Sequence, residues 1–288
     1  MDAATKILLP HGSFTPGIEG PACDGEGNLY AVNFGRQGTI GVVTPQGQGY
    51  VFVELPPGSI GNGIRFDSQG RMCIADFTGH NVLNVDMRTR QVSVRGHDPA
   101  LHQPNDLCIT AADVVYASDP HWPTESGRIW RFRGLEPPVI VSGPMGTTNG
   151  IEIHPDESQL FVDESVQRRI WRFDLLADGG LGPARLFHEF PDHGLDGMRF
   201  DVEGNLYVTR YGKGTVAVLD PGGSVVDEIP LHGGRPSNLC FGGEDGRTLY
   251  ITEVDHGTVE CIRVPHAGRE WKLWQRSAQG PAKGGWDA

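Results

Sequence analysis

The sequence predicts an all-β protein built as a six-bladed propeller, with four antiparallel strands in each blade. Three observations carry this expectation. The 288-residue chain holds 41 glycines and 21 prolines and no long run of helical period, the pattern of many short strands joined by turns. Six segments align: "EGPACDGEGNLYAVN", "NGIRFDSQGRMCIAD", "NDLCITAADVVYASD", "NGIEIHPDESQLFVDE", "DGMRFDVEGNLYVTR" and "SNLCFGGEDGRTLYITE". Their starts, Glu19, Asn62, Asn105, Asn149, Asp196 and Ser237, lie 43, 43, 44, 47 and 41 residues apart, a repeat length that suits a propeller blade.

Each unit repeats one internal order. A first strand, such as residues 151–154, leads through a turn, such as 201–205, into a second strand, such as 206–209. A third follows in "GTIGVVTP", "GRIWRFRG", "RRIWRFDL" and "GTVAVLDP", and a weaker fourth in "YVFVEL" and "PPVIVS". The whole chain, 1–288, therefore reads as one propeller domain. The outer strand that closes the last blade is either "KILL" at 6–9 or "WKLW" at 271–274, and the Gly/Ala-rich tail from about 275 is expected to be loosely held.

Composition narrows the function. The chain is 38% hydrophobic and 21% charged, enough to bury a core, and its net charge of −12 comes with no Lys/Arg-rich run. A nucleic-acid or anionic-membrane partner needs the opposite sign, so neither is expected. Five cysteines without CxxC spacing read as buried free thiols. The start, "MDAATKILLPHGSF", has no basic n-region, and no 18-residue apolar run occurs, so a cytoplasmic protein is expected, either a monomer or a small homo-oligomer.

In a propeller the first strand of each blade lines the central channel, so Glu19, Asn62, Asn105, Asn149, Asp196 and Ser237 ring one mouth, every one bearing a side-chain oxygen. The second strand returns to the same face, where Asn33, Asp76, Asp119, Glu164, Arg210 and Glu253 form a second polar ring, 14 to 16 residues from their partners. Oxygen donors with two carboxylates suit a hard divalent cation: Ca²⁺ foremost, with Mg²⁺, Mn²⁺ or Zn²⁺ also tolerated. The best ligand set is Glu19, Asn105, Asn149 and Asp196. The same residue types are also ordinary turn formers, and buried water would satisfy them without a metal.

These segments, with "PNDLCIT", "YASDP" and "TNGIEIHPDESQLFVDES", resemble the senescence marker protein, gluconolactonase and luciferin-regenerating enzyme (regucalcin-like) family over residues of about 15 to 265. The resemblance implies a six-bladed propeller with one catalytic divalent metal and hydrolysis of a small-molecule sugar lactone. It implies metal ligation by Glu19, Asn149 and Asp196, with Asn105 on the substrate side of the metal and Asp119 as a pocket residue. Where bacterial relatives continue "DPPYG", this chain has "DPHWPTESG", so His121 and Trp122 reshape the rim, together with the loop that begins at Arg210. Asn62 is expected to hydrogen-bond substrate or water. Asp196, a metal-bound hydroxide or His121 would serve as general base. Phosphotriester hydrolysis and non-catalytic binding of a cation or ligand are the alternatives on the same scaffold. Trp130 and Trp171, in the paired "RIWRF" segments, read as packing between blades, and "HPDE" at 154–157 as a turn at the far end.

Overall fold

Residues 4–278 are described by the structure, a computed structural model. They form six antiparallel sheets of four strands, arranged radially. From the inside outward, blade 1 is Ala22–Cys23, Leu29–Val32, Thr39–Val43 and Gly49–Glu54, and blade 2 is Gly61–Phe66, Met72–Asp76, Asn81–Val85 and Val92–His97. Blade 3 is Leu107–Ile109, Val115–His121, Ser126–Phe132 and Val139–Ile140; blade 4 is Thr148–Ile153, Gln159–Glu164, Arg169–Asp174 and Arg185–Glu189. Blade 5 is Met198–Phe200, Leu206–Arg210, Thr215–Leu219 and Val225–Pro230. Innermost strands of successive blades touch all the way round, blade 6 against blade 1 included.

Blade 6 draws on both ends of the chain. Its inner three strands are Pro236–Gly242, Thr248–Glu253 and Thr258–Arg263, and its outermost is Lys6–Ile7, with Lys6 opposite Cys261 and Ile7 opposite Glu260. The N-terminal segment therefore closes the ring. The other candidate, 271–274, lies instead in a helix, Arg269–Ala278, which the strand-dominated reading does not anticipate. The tail from about 275 falls largely outside the described residues. Among those described, no helix is long and apolar enough to cross a membrane.

Strand alternation explains where the core sits. Each sheet presents apolar side chains to both neighbours, so the core is divided into six clusters, one per seam, rather than gathered in a single centre. Ile40, Phe52, Ile64 and Leu83 fill the seam between blades 1 and 2, and Phe161, Phe200, Leu206 and Leu219 that between blades 4 and 5. Trp130 packs in the seam of blades 2 and 3 and Trp171 against that of blades 3 and 4, as the alternation predicts. All five cysteines are free. The "HPDE" segment is a surface turn: Asp156 accepts hydrogen bonds from Ser158, and Glu157 Oε1 accepts the Ala111 N–H.

Candidate functional site

The first ring forms because the inner strands are irregular where they enter the channel. Ladder register breaks between Gly61 and Ile64, between Thr148 and Ile151 and between Pro236 and Asn238, so Asn62, Asn149 and Ser237 sit in bulges. A bulge re-aims a side chain that a regular strand would place on a sheet face. In the other three blades Glu19, Asn105 and Asp196 precede the first strand, each tied to the second by a backbone hydrogen bond: Val32 N to Glu19 O, Asn105 N to Ser118 O and Asp196 N to Thr209 O. All six line one cavity of about 510 Å³. Close approach between blades requires a small residue beneath the ring: a Cβ on Gly63 would lie 2.4 Å from Asp106 Oδ1.

The floor of this cavity is rich in buried oxygen without a protein donor. Both carboxylate oxygens of Glu19 and the Oδ1 atoms of Asn62, Asn105 and Asn149 have no hydrogen-bond partner. Burial, and then the charge of Asp106, pushes the Glu19 carboxyl up to about 8. Asp196 is driven well above the usual carboxylate range by burial first, then by Glu19 and Asp163. Asn149 Nδ2 donates to Ser165 Oγ at 3.3 Å, which leaves its oxygen to face the cavity. Among the described residues no three His, Cys, Asp or Glu side chains group as metal ligands, so a cation here would be held by a mixed carboxylate and amide set. Hard oxygen donors of this kind suit Ca²⁺, Mg²⁺ or Mn²⁺ more than a thiophilic ion.

The second ring lies at or beside the ends of the second strands, one strand out from the first. Its members act mainly as clamps on the loop that feeds the first strand of their own blade. Asp76 Oδ2 accepts from Ser59 Oγ at 2.7 Å, Glu164 Oε1 from Gly146 N at 2.6 Å, and Glu253 Oε1 from Arg235 N at 3.4 Å. Arg210 donates to the Asp192 carbonyl at 2.6 Å while its guanidinium stacks 3.7 Å over Phe190. Asp119 is the most heavily engaged: His102 N, Gln103 N, Arg128 Nε and Trp130 Nε1 all donate to it within 3.1 Å. Asp119, His121 and Arg210 are thus absent from the cavity lining, whereas Asn33 is on it while also donating to Gly17 O. His121 Nδ1 lies 2.6 Å from Thr124 Oγ1, with the His102 ring 4.7 Å away. Of the two rim candidates, only Trp122 reaches the cavity.

Strand alternation accounts for the difference. Where the second-ring residue turns into its own sheet, the next residue faces the channel mouth, and Phe77, Ser165, Tyr211 and Val254 line the cavity from that position. Position alone marks these four in the sequence, each one residue after a second-ring member.

Beneath the ring the channel is closed by ion pairs. Asp106 meets Arg199 at 3.1 Å and Arg65 at 3.3 Å, and Glu152 lies 3.6 Å from Arg65 and 3.8 Å from Arg199. Burial opposes the Asp106 charge, but Arg199 and Arg65 prevail and hold its carboxyl below the usual range. The C-terminal helix covers the far mouth, with Glu270 Oε1 at 3.1 Å from Arg199 Nε and Arg269 Nη2 donating to Ile109 O and Glu157 Oε1. Trp274 Nε1 donates to Cys23 O at 3.1 Å.

Several known proteins resemble this chain in sequence or in fold. A gluconolactonase of Zymomonas mobilis is 29% identical over an alignment that covers 70% of this chain and 62% of that protein, less than two thirds of its length. The diisopropyl-fluorophosphatase of Loligo vulgaris is 25% identical over 92% of this chain and 91% of its own. The crystal structure of a calcium-binding protein, regucalcin, from Agrobacterium tumefaciens superposes with a TM-score of 0.76 over 93% of this chain and 95% of that one; at 19% identity the likeness is one of fold. The family described as "SMP-30/Gluconolactonase/LRE-like region" matches residues 17–255, a span that takes in all six ring residues, and this chain belongs to that family.

Proposed function

We propose that the protein is a divalent-metal-dependent hydrolase that opens a sugar lactone. The observation that carries this reading is the convergence of Glu19, Asn105, Asn149 and Asp196 on one cavity, where the carboxylate oxygens of Glu19 and the amide oxygens of Asn105 and Asn149 are buried without a hydrogen-bond partner. A buried, unpaired carboxylate is costly, and two held close together cost more, so a cation offsets an expense the fold otherwise bears alone. Glu19, Asn149 and Asp196 would hold the ion, with Asn105 at its substrate side. When bound, such an ion supplies Lewis-acid polarisation of an ester carbonyl and a lowered pKa for water.

The chain's own groups do the rest. Asp196, beside the attacking water, would accept its proton as the water oxygen bonds to the lactone carbonyl carbon; the ring C–O bond then breaks, and the proton held on Asp196 passes to the departing oxygen. Asn62, with its Oδ1 unpartnered, is placed to accept a hydrogen bond from a sugar hydroxyl. Phe77, Trp122 and Tyr211 supply an aromatic wall, and the cavity's 510 Å³ falls inside the roughly 300–1,000 Å³ range of small-ligand sites. Similarity to the Zymomonas gluconolactonase supports the substrate class.

Initial rates on aldono-1,4- and 1,5-lactones test this directly, using protein stripped with chelator and resupplied separately with Ca²⁺, Mg²⁺, Mn²⁺ or Zn²⁺. Hydrolysis restored by a metal is the expected result, and no rate with any pairing would refute it. Similarity over nearly the whole chain to a fluorophosphatase supports one second reading, phosphotriester hydrolysis at the same centre. A fluorophosphonate turned over faster than every lactone would put that reading first.

A further inference from the structure

Asp163 is a residue the proposed chemistry does not use. It lies in the second strand of blade 4, is fully buried, and has neither carboxylate oxygen in a hydrogen bond. The equivalent positions in the other blades, one before each second-ring residue, are Val32, Ala75, Ser118, Thr209 and Thr252. The three hydroxyl residues share one task, which is to hold the backbone just after the ring residue. Ser118 Oγ accepts from Asp106 N at 3.0 Å, Thr252 Oγ1 from Asn238 N at 2.9 Å, and Thr209 Oγ1 donates to Gly197 O at 3.0 Å.

In blade 4 that backbone is Gly150, next to Asn149. Asp163 is packed against it so closely that a Cβ on Gly150 would lie 2.6 Å from Asp163 Oδ2 and 2.3 Å from Asp196 O. The Gly150 N–H leans toward the carboxylate without closing a hydrogen bond of normal geometry. Holding the loop therefore needs only a hydroxyl, as three other blades show, and the negative charge is surplus to that task. Nor is the charge neutralised as Asp106 is, by two arginines. A buried carboxyl without a partner is costly to ionise unless a positive charge comes to it.

We propose that Asp163 is a charge-setting residue behind the ring, a third carboxylate that does not itself ligate but tightens the hold of Glu19, Asn149 and Asp196 on a divalent cation. This inference rests on the cation reading of the site. Removing outer groups that support a metal site typically weakens metal affinity by about 10- to 100-fold. Ionising this buried carboxyl costs stability in the metal-free protein and is offset when the ion binds, so the two effects of removing it have opposite sign.

The test uses the full chain, stripped with chelator, as wild type, Asp163→Asn, Asp163→Thr and Glu19→Gln. Calcium binding is measured by titration calorimetry and the metal-free thermal midpoint by circular dichroism. Both Asp163 variants are expected to melt no lower than wild type without metal and to bind Ca²⁺ at least about tenfold more weakly. Affinity within twofold of wild type in Asp163→Asn overturns the inference, and so does a metal-free midpoint that falls in both variants, since Asp163 would then be a packing residue. If Glu19→Gln loses Ca²⁺ while the Asp163 variants keep it, the cation site stands and only the role of Asp163 fails. If the wild type binds none of Ca²⁺, Mg²⁺ or Mn²⁺, the cation reading itself falls, and this inference with it.

Discussion

Raising the pH should destabilise the metal-free protein, with Glu19 as a principal cause. Its carboxyl is pushed from an ordinary 4.5 to about 8, first by burial and then by the charge of Asp106. In the unfolded chain the proton leaves near 4.5, and in the folded chain near 8. Between those values the folded state holds more protons, so stability must fall as pH rises through the window and is greatest below it. Within the window each retained proton is worth about 1.4 kcal/mol per pH unit. From pH 6 to 8 the loss assigned to this one group is therefore on the order of 2 kcal/mol. For a chain of this size about 1 kcal/mol moves the midpoint by roughly 2–4 °C, so a drop of several degrees is expected. Glutamine at 19 has no proton to lose. Differential scanning fluorimetry in chelator, at half-unit steps from pH 5.5 to 8, should give a steeper fall for wild type than for Glu19→Gln. Some slope should survive in the variant, because Asp196 and Asp163 are displaced in the same direction. A wild-type curve no steeper than that of Glu19→Gln would refute the assignment. Saturating Ca²⁺ should flatten the wild-type curve by favouring the ionised form.

Asp196→Asn should reduce metal-restored lactone hydrolysis by at least about a hundredfold while the circular dichroism spectrum stays that of wild type, because the residue lies at the channel mouth and not in a seam. Retained activity in single-turnover assays would remove it as the base. Arg199→Met removes one of the two arginines that Asp106 and Glu152 share, and breaking a buried charge set in this way costs about 3–5 kcal/mol, readable as a lower midpoint in urea. Asp119→Ala leaves His102 N, Gln103 N and Trp130 Nε1 without an acceptor, and at about 1–3 kcal/mol for each buried unsatisfied group it should be among the most destabilising single changes in blade 3. An unfolding midpoint equal to wild type would show that the loop relaxes to satisfy those donors elsewhere.

Much of this protein is legible from its sequence because a propeller is a repeat. Six copies of one strand-turn-strand pattern fix both the architecture and the register, and register brings Glu19, Asn62, Asn105, Asn149, Asp196 and Ser237 to one mouth of one channel. No long-range contact has to be guessed, since each inner strand begins at the same distance from the axis. The same periodicity marks Asp163 as the one acid among Val32, Ala75, Ser118, Thr209 and Thr252.

Only the tertiary structure decides which way the neighbouring side chains turn. Asp119 and Arg210 look like pocket residues in a linear alignment, yet the half-turn between consecutive strand residues sends them into their own loops, and Phe77, Ser165 and Tyr211 face the cavity instead. The closing strand and the capping helix were beyond sequence reasoning for a related reason. "KILL" and "WKLW" have similar apolar patterns, and what separates them is which one finds an unpaired edge at Cys261 and which an apolar shelf beside Phe66 and Cys23. Repetition carries information about position along the axis, whereas the direction of a side chain and the fate of a chain end depend on neighbours that the repeat does not encode.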